Sequence, residues 1–241
     1  MDMEKVNSMD FGEFVDVFGN VIERCPLIAA AVWSQRPFSD LDDLEKHFSA
    51  FIDALPQSGE KIARYQNISG AQGEEQMADI FTGKGQFGLD CGGKWTHPGL
   101  KGQICHFAPR PRVPAEAERS WHRQAQGQEG ILRCHPDLAG RELQRGTLTA
   151  ESQREQSGAG LTHLGAEERR RLAELNARYR ARFGFPFVLA ARLSDRDAVP
   201  RELTRRLRCQ PALELRTALG EVKKIGRLRL ADLLGVDLAR L

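Results

Sequence analysis

Ser39-Asp40-Leu41-Asp42-Asp43-Leu44-Glu45-Lys46-His47-Phe48-Ser49-Ala50-Phe51-Ile52-Asp53-Ala54-Leu55 is the stretch that decides the fold class. Leu41, Leu44, Phe48, Phe51, Ile52 and Leu55 recur at three- and four-residue steps, the period of one helix face. Ser39 stands where a cap belongs, and Asp40, Asp42 and Asp43 set negative charge against the positive end of the helix dipole. The segment reads as an amphipathic helix with one side for a core.

The same period continues outward. Asp10, followed three residues later by Glu13, makes a capping box, and Phe11, Phe14, Val15, Phe18, Val21 and Ile22 carry a stripe that ends near Pro26. A further helix begins near Ala166 with Leu172, Leu175, Tyr179 and Phe183 on one side, arginines on the other, and Gly184 placed to end it left-handed. The last runs over about 212–234, with Leu215, Leu219, Val222 and Leu233 in phase. No sustained period-two alternation occurs, so the fold class is all-α.

With 241 residues the chain can bury a sizeable core without disulfide stapling or obligatory association. Lys+Arg 35 against Asp+Glu 33 leaves a net charge of +2, which gives no single-signed field for nucleic acid or an anionic membrane. The longest apolar run, around 27–33, is far short of the roughly 20 residues of a membrane span. Cys25, Cys91, Cys105, Cys134 and Cys209 are odd in number and lack CxxC spacing, and residues 1–11 hold no apolar signal core. A soluble protein of a reducing interior compartment is expected.

The texture changes over 60–127, which holds ten of the 23 glycines and a proline-punctuated stretch at 108–114, with no helical stripe beyond two turns. Such a segment has too little apolar surface to offset its ordering entropy, and it reads as a disordered or loop-like insert. Closing a loop costs only about 0.6 kcal/mol per doubling of its length, so residues 1–59 and 128–241 can form one helical domain around it.

Beyond the insert stand three blocks: Ile131-Leu-Arg-Cys-His135-Pro-Asp-Leu-Ala-Gly140, Leu148-Thr-Ala-Glu151-Ser152-Gln153-Arg154-Glu155-Gln156 and Arg182-Phe-Gly-Phe185-Pro-Phe187-Val188. In this order they resemble the 2-oxo-4-hydroxy-4-carboxy-5-ureidoimidazoline (OHCU) decarboxylases, which complete the conversion of urate to allantoin. The likeness extends to Cys25-Pro-Leu-Ile-Ala-Ala-Ala-Val-Trp33 and Arg36-Pro-Phe38, and joining Gly59 to Gln128 restores a continuous family-like sequence. The resemblance implies a compact helical fold, commonly a homodimer, that takes OHCU as substrate and needs no metal or organic cofactor. It implies catalytic roles for His135, Glu155 and Arg229, and substrate contacts from Pro136, Ser152, Gln156 and the stretch Phe187, Val188, Leu189, Ala190 and Ala191.

Read without the resemblance, these residues are consistent with that chemistry. Histidine titrates near pH ~6.5, suited to proton transfer, and the proline after His135 can occupy a first helical position, which would place the imidazole at a helix N-terminus. Ser152, Glu155 and Gln156 share one face at three- and four-residue spacing. At 100° per residue Arg229 lies about 20° from Val222 on the apolar side while Arg227 points away, so Arg229 needs an anionic partner, either Glu155 or a substrate carboxylate. That phase has meaning only if Gly226 does not break the helix. The alternative function is a non-catalytic helical interaction protein whose insert, eight residues before His135, displaces the catalytic segment.

Other signals carry no function. Gly83-Lys-Gly85-Gln-Phe-Gly88 spells GxGxxG without a preceding strand, Cys91, His97, Cys105 and His106 match no zinc spacing, and Asn67-Ile-Ser69 is a sequon without secretion. The basic cluster of Lys223, Lys224, Arg227 and Arg229 reads as a solvated face plus one functional arginine. Ala239-Arg240-Leu241 is a variant of the small-basic-leucine address read by the peroxisomal import receptor; it predicts an exposed C-terminus and a peroxisomal protein, cytosolic if the signal is not read.

Overall fold

A computed structural model describes residues 1–55, 88–89, 95–96 and 127–237. The expectations for the insert, the GxGxxG run, the Cys/His set, the sequon and the exposed C-terminal tripeptide lie wholly or largely outside these residues. The helices in chain order are α1 (Met3–Ser8), α2 (Phe11–Phe18), α3 (Pro26–Trp33), α4 (Leu41–Ala54), α5 (Gly127–Cys134), α6 (Arg141–Arg145), α7 (Ala150–Gly158), α8 (Ala166–Phe183), α9 (Ala198–Arg206) and α10 (Pro211–Leu234). The dipeptides Gly88–Leu89 and Trp95–Thr96 pair antiparallel. This two-residue ladder lies within 60–127, and the fold is all-α as the sequence predicts. None of the described helices is long and apolar enough to cross a membrane.

α4 forms as its pattern dictates, burying Leu41, Leu44, Phe48 and Ile52. Each such side chain contributes roughly 1.5–3 kcal/mol. Its cap is Asp40 rather than Ser39: Asp40 Oδ1 accepts from the Asp43 amide at 2.8 Å, and the Asp43 carboxylate accepts from the Ser39 amide at 3.1 Å. Of the two neighbours, Asp40 stands in the position whose side chain can reach the third amide of the helix.

The Asp10–Glu13 capping box forms, but α2 stops at Phe18 instead of running on toward Pro26. Val21 and Ile22 still reach the core from a tight turn. In that turn Arg24 takes φ +53°, a left-handed backbone costing about 1 kcal/mol for a residue with a Cβ. The Asn20 side chain accepts from the Arg24 amide at 2.9 Å and holds the bend.

α10 crosses this turn closely. A Cβ at Gly226 would come within 3.2 Å of Ile22 Cδ1, so glycine at 226 permits the approach, and the helix continues through it to Gly235. α10 also packs on α4 and α5, and α8 on α9. α8 ends at Gly184 with φ +78°, as its sequence predicts.

Candidate active site

Arg229 projects from the buried side of α10 with 4 % of its side chain exposed, whereas Arg227 points outward to Asp42 and Glu45. The helical phase read from the sequence therefore holds. Its fork closes on Glu155 of α7: Nε to Oε1 at 2.7 Å and Nη2 to Oε2 at 2.8 Å. Nη1 donates to the Asn20 carbonyl at 2.8 Å, and Nη2 to Ser152 Oγ at 3.2 Å.

A second carboxylate, one the sequence reading missed, completes the arrangement. Glu23 is fully buried and lies 2.9 Å from Arg229 Nη2. It also accepts from Ser152 Oγ and Thr149 Oγ1, each at 2.8 Å. Burial alone would push its carboxyl up; the charges of Arg229 and His135 and the two hydroxyl bonds outweigh this and hold it below the usual carboxylate range. The one signal in the sequence is a glutamate beside Val21, Ile22 and Cys25, where the surrounding residues are apolar. Nothing local says that it faces an arginine 206 residues on.

α7 is capped by Thr149, whose hydroxyl accepts from the Ser152 amide at 3.3 Å. Its helical spacing places Ser152, Glu155 and Gln156 on one cavity-lining face, as expected, with Ser152 and Glu155 meeting Arg229. Gln156 has two separate roles: Oε1 accepts from the Ala139 amide at 2.9 Å and fixes the loop after His135, while its buried Nε2 has no partner among the described residues.

His135 does not begin a helix. It follows the last residue of α5, and Pro136 lies in the irregular stretch after it. A residue before proline disfavours the α-region, so the helix ends here rather than starts. The ring Nδ1 lies 3.0 Å from the Ile131 carbonyl one turn back, and a carbonyl only accepts, so Nδ1 carries the proton. Nε2 is left as a bare lone pair in the neutral ring, buried and without a partner among the described residues. Burial lowers the imidazole pKa to about 4, against the opposing pull of Glu23. At neutral pH it is therefore a proton acceptor.

His135, Pro136, Ser152, Glu155, Gln156 and Arg229 line one cavity of about 30 Å³, closed on the far side by Phe187, Val188, Leu189 and Ala191. Leu138 and Ile225, which the sequence reading did not single out, complete it. Ala190 is absent from this wall; its backbone amide donates to Glu221 at 2.9 Å. Arg206 fixes the same strap by donating to the Val188 carbonyl at 2.8 Å.

A larger cleft of about 510 Å³ adjoins, lined by Asn20, Glu151, Arg154, Arg192 and Asp232 among others. Arg229 and Glu155 line both spaces and form the partition between them. The smaller space holds little more than one water-sized molecule.

Comparison with known proteins identifies the family. A protein-family model described as OHCU decarboxylase matches residues 7–90 and 93–231, which takes in all of the segment 60–127 except residues 91 and 92, so the family model includes the stretch that reads as foreign in the sequence. The chain is 61% identical over 241 residues to a human protein named "Putative 2-oxo-4-hydroxy-4-carboxy-5-ureidoimidazoline decarboxylase", with 100% of both chains covered. It is 58% identical over 235 residues to the Mus musculus 2-oxo-4-hydroxy-4-carboxy-5-ureidoimidazoline decarboxylase, covering 98% of this chain and 94% of that one. The protein of that name from Amia calva is 40% identical over 234 residues, 97% of this chain and 95% of the other. Among solved structures, the crystal structure of (S)-allantoin synthase superposes with a TM-score of 0.53 at 17% identity, covering 97% of this chain and 54% of that chain, a likeness of fold.

Proposed function

This chain belongs to the OHCU decarboxylase family, and from that premise we propose that it decarboxylates OHCU to S-allantoin and CO2 with His135 as proton carrier. The observation that carries this reading is the bare, buried Nε2 of a neutral His135 in one cavity with Arg229 and Glu155. It makes the protein a carboxy-lyase of urate degradation.

The substrate bears a hydroxyl and a carboxylate on one ring carbon, next to a ring C=N. The Arg229 fork suits the carboxylate, and Ser152, Gln156 and the Phe187–Ala191 strap suit the polar ring edge. As the carbon–carboxylate bond breaks, CO2 leaves and the bonding pair passes into the C=N, whose nitrogen takes a proton from solvent. His135 Nε2 then accepts the hydroxyl proton, and the imidazolium returns it to the neighbouring carbon on one face. The carbon–oxygen bond becomes a carbonyl and one enantiomer results. Burial favours this cycle because the neutral ring is restored at its end, and Glu23 opposes the charge while it lasts. No step calls on a metal or organic cofactor, and exhaustive dialysis against chelator is expected to leave the rate unchanged.

The test is stereochemical. OHCU generated in place from urate is followed by circular dichroism with and without the protein. Accelerated appearance of a single enantiomer of allantoin is expected; a rate equal to the spontaneous one would refute the reading. Two finer points belong to the proposal. Ala239-Arg240-Leu241 supports peroxisomal delivery, tested by whether a fluorescent fusion moves to the cytosol when those three residues are removed. A homodimer rests on the family resemblance, and light scattering at working concentration reads it.

A further inference from the structure

Arg229 is held by two carboxylates that differ in freedom. Glu155 has 12% of its side chain exposed and borders both the small cavity and the large cleft. Glu23 is wholly buried, held by three donors: Arg229 Nη2, Ser152 Oγ and Thr149 Oγ1. Two carboxylates on one guanidinium already overcompensate its charge, so an incoming substrate carboxylate binds Arg229 only if one of them gives way. Moving Glu155 opens the partition into the cleft; moving Glu23 would break all three of its bonds and leave a buried charge unpaired.

We propose that Glu23 is a positioning residue, the fixed anchor that keeps Arg229 and Ser152 aimed into the His135 cavity while Glu155 releases Arg229 to the substrate. The inference rests on the decarboxylase reading given above. The backbone around Glu23 is built for such a role. The left-handed turn at Arg24, held by the Asn20 side chain, directs Glu23 inward, and the Asn20 carbonyl of the same turn receives Arg229 Nη1. Four charged or titratable groups face Glu23: Arg229 of α10, His135 after α5, Cys134 at the end of α5 and Cys25 before α3. Glu155 of α7 reaches it only through the shared guanidinium.

The experiment compares Glu23→Gln and Glu23→Asp with the wild-type chain, using OHCU turnover and a nuclear magnetic resonance titration of the His135 ring. Glu23→Gln removes the charge at constant size. It is expected to lower kcat at least tenfold with KM changed less than threefold. The His135 ring, about half protonated at pH 4 in the wild type, is expected to stay neutral there because the pull of Glu23 is gone. Glu23→Asp keeps the charge and retracts it, so the ring titrates as in the wild type while kcat still falls several-fold.

A kcat within threefold of wild type in Glu23→Gln, or an unmoved His135 titration in that variant, overturns the proposal. Should Glu23→Gln not fold, wild-type turnover by Glu23→Asp overturns it equally. A wild-type chain that does not process OHCU fails the functional reading instead, and the ring titration then reports on the anchor without substrate.

Discussion

Among the described residues two arginines are almost wholly buried, Arg229 and Arg206, and each meets a glutamate through a close ion pair. Arg206 of α9 donates Nε to Glu214 at 2.8 Å, shares that carboxylate with the Tyr179 hydroxyl, donates to the Val188 carbonyl and lies over the Phe187 ring at 4.6 Å. Neither Arg206 nor Glu214 borders the small cavity or the adjoining cleft. Arg229 has the same chemistry, but one of its carboxylates forms a wall between two spaces. The contrast teaches that burial of a charge does not by itself mark a site. What separates the two is whether a partner has somewhere to go. The first network is a staple that shapes the Phe187–Ala191 strap from behind; the second is a binding device that meets the same cavity from the front.

The comparison breaks most sharply at His135, which stands on the Arg229 side alone. His135→Asn is expected to cost roughly 10²- to 10⁴-fold in kcat with an unchanged melting transition, measured by turnover and thermal denaturation. A comparable loss of stability instead of rate would place His135 with the structural group.

The next effect separates the arginines themselves. Arg206→Met leaves Glu214 buried and unpaired, so about 3–5 kcal/mol of folding stability is expected to go in urea unfolding. Turnover per folded molecule should stay within a few-fold. Arg229→Lys keeps a cation against Glu23 but loses the planar fork. It should lose on the order of 10²-fold in kcat/KM, with a smaller change in stability. Reversal of the two patterns would dissolve the distinction.

Acid gives a smaller effect, to which His135 on the catalytic side makes the main buried contribution. His135 has a folded pKa of about 4 against about 6.5 in the unfolded chain, so between these values the unfolded chain binds a proton that the native protein refuses. Stability is therefore fully present above pH ~6.5 and falls as pH drops toward 4, by on the order of 3 kcal/mol. Glu23, held below its ordinary value, adds to the loss below about pH 4.5. Urea midpoints at pH 7 and pH 4.5 measure this, and His135→Asn should flatten the slope.

The smallest expected effect is that of removing residues 60–127. The described chain before them ends just after α4 and resumes in α5, and no residue of either helix bonds the Arg229 fork, so the shortened chain should turn over at a rate within about threefold of the full one. A large gain on excision would revive the interaction-protein alternative.

The two regions also differ in how much the sequence disclosed. Helices α4, α8 and α10 follow from apolar spacing and caps, and the spacing carried the direction of Arg229 correctly through Gly226. The face shared by Ser152, Glu155 and Gln156 is likewise a local property of α7. Some of what stayed hidden was a choice between competing local signals. Asp40 displaced Ser39 as the cap of α4, α2 stopped short at the Arg24 turn, and Pro136 ended a helix at His135 instead of opening one. Glu23 has only its apolar neighbours as a local signal, because its partners Ser152 and Arg229 stand on helices far along the chain.

The most direct measurement is a crystal structure with S-allantoin bound. It is expected to show the small cavity and the large cleft joined, Glu155 moved off Arg229, Glu23 in place, and His135 Nε2 facing a ring carbon of the ligand. A ligand bound elsewhere, with Arg229 still closed on Glu155 and His135 out of its reach, would contradict the account.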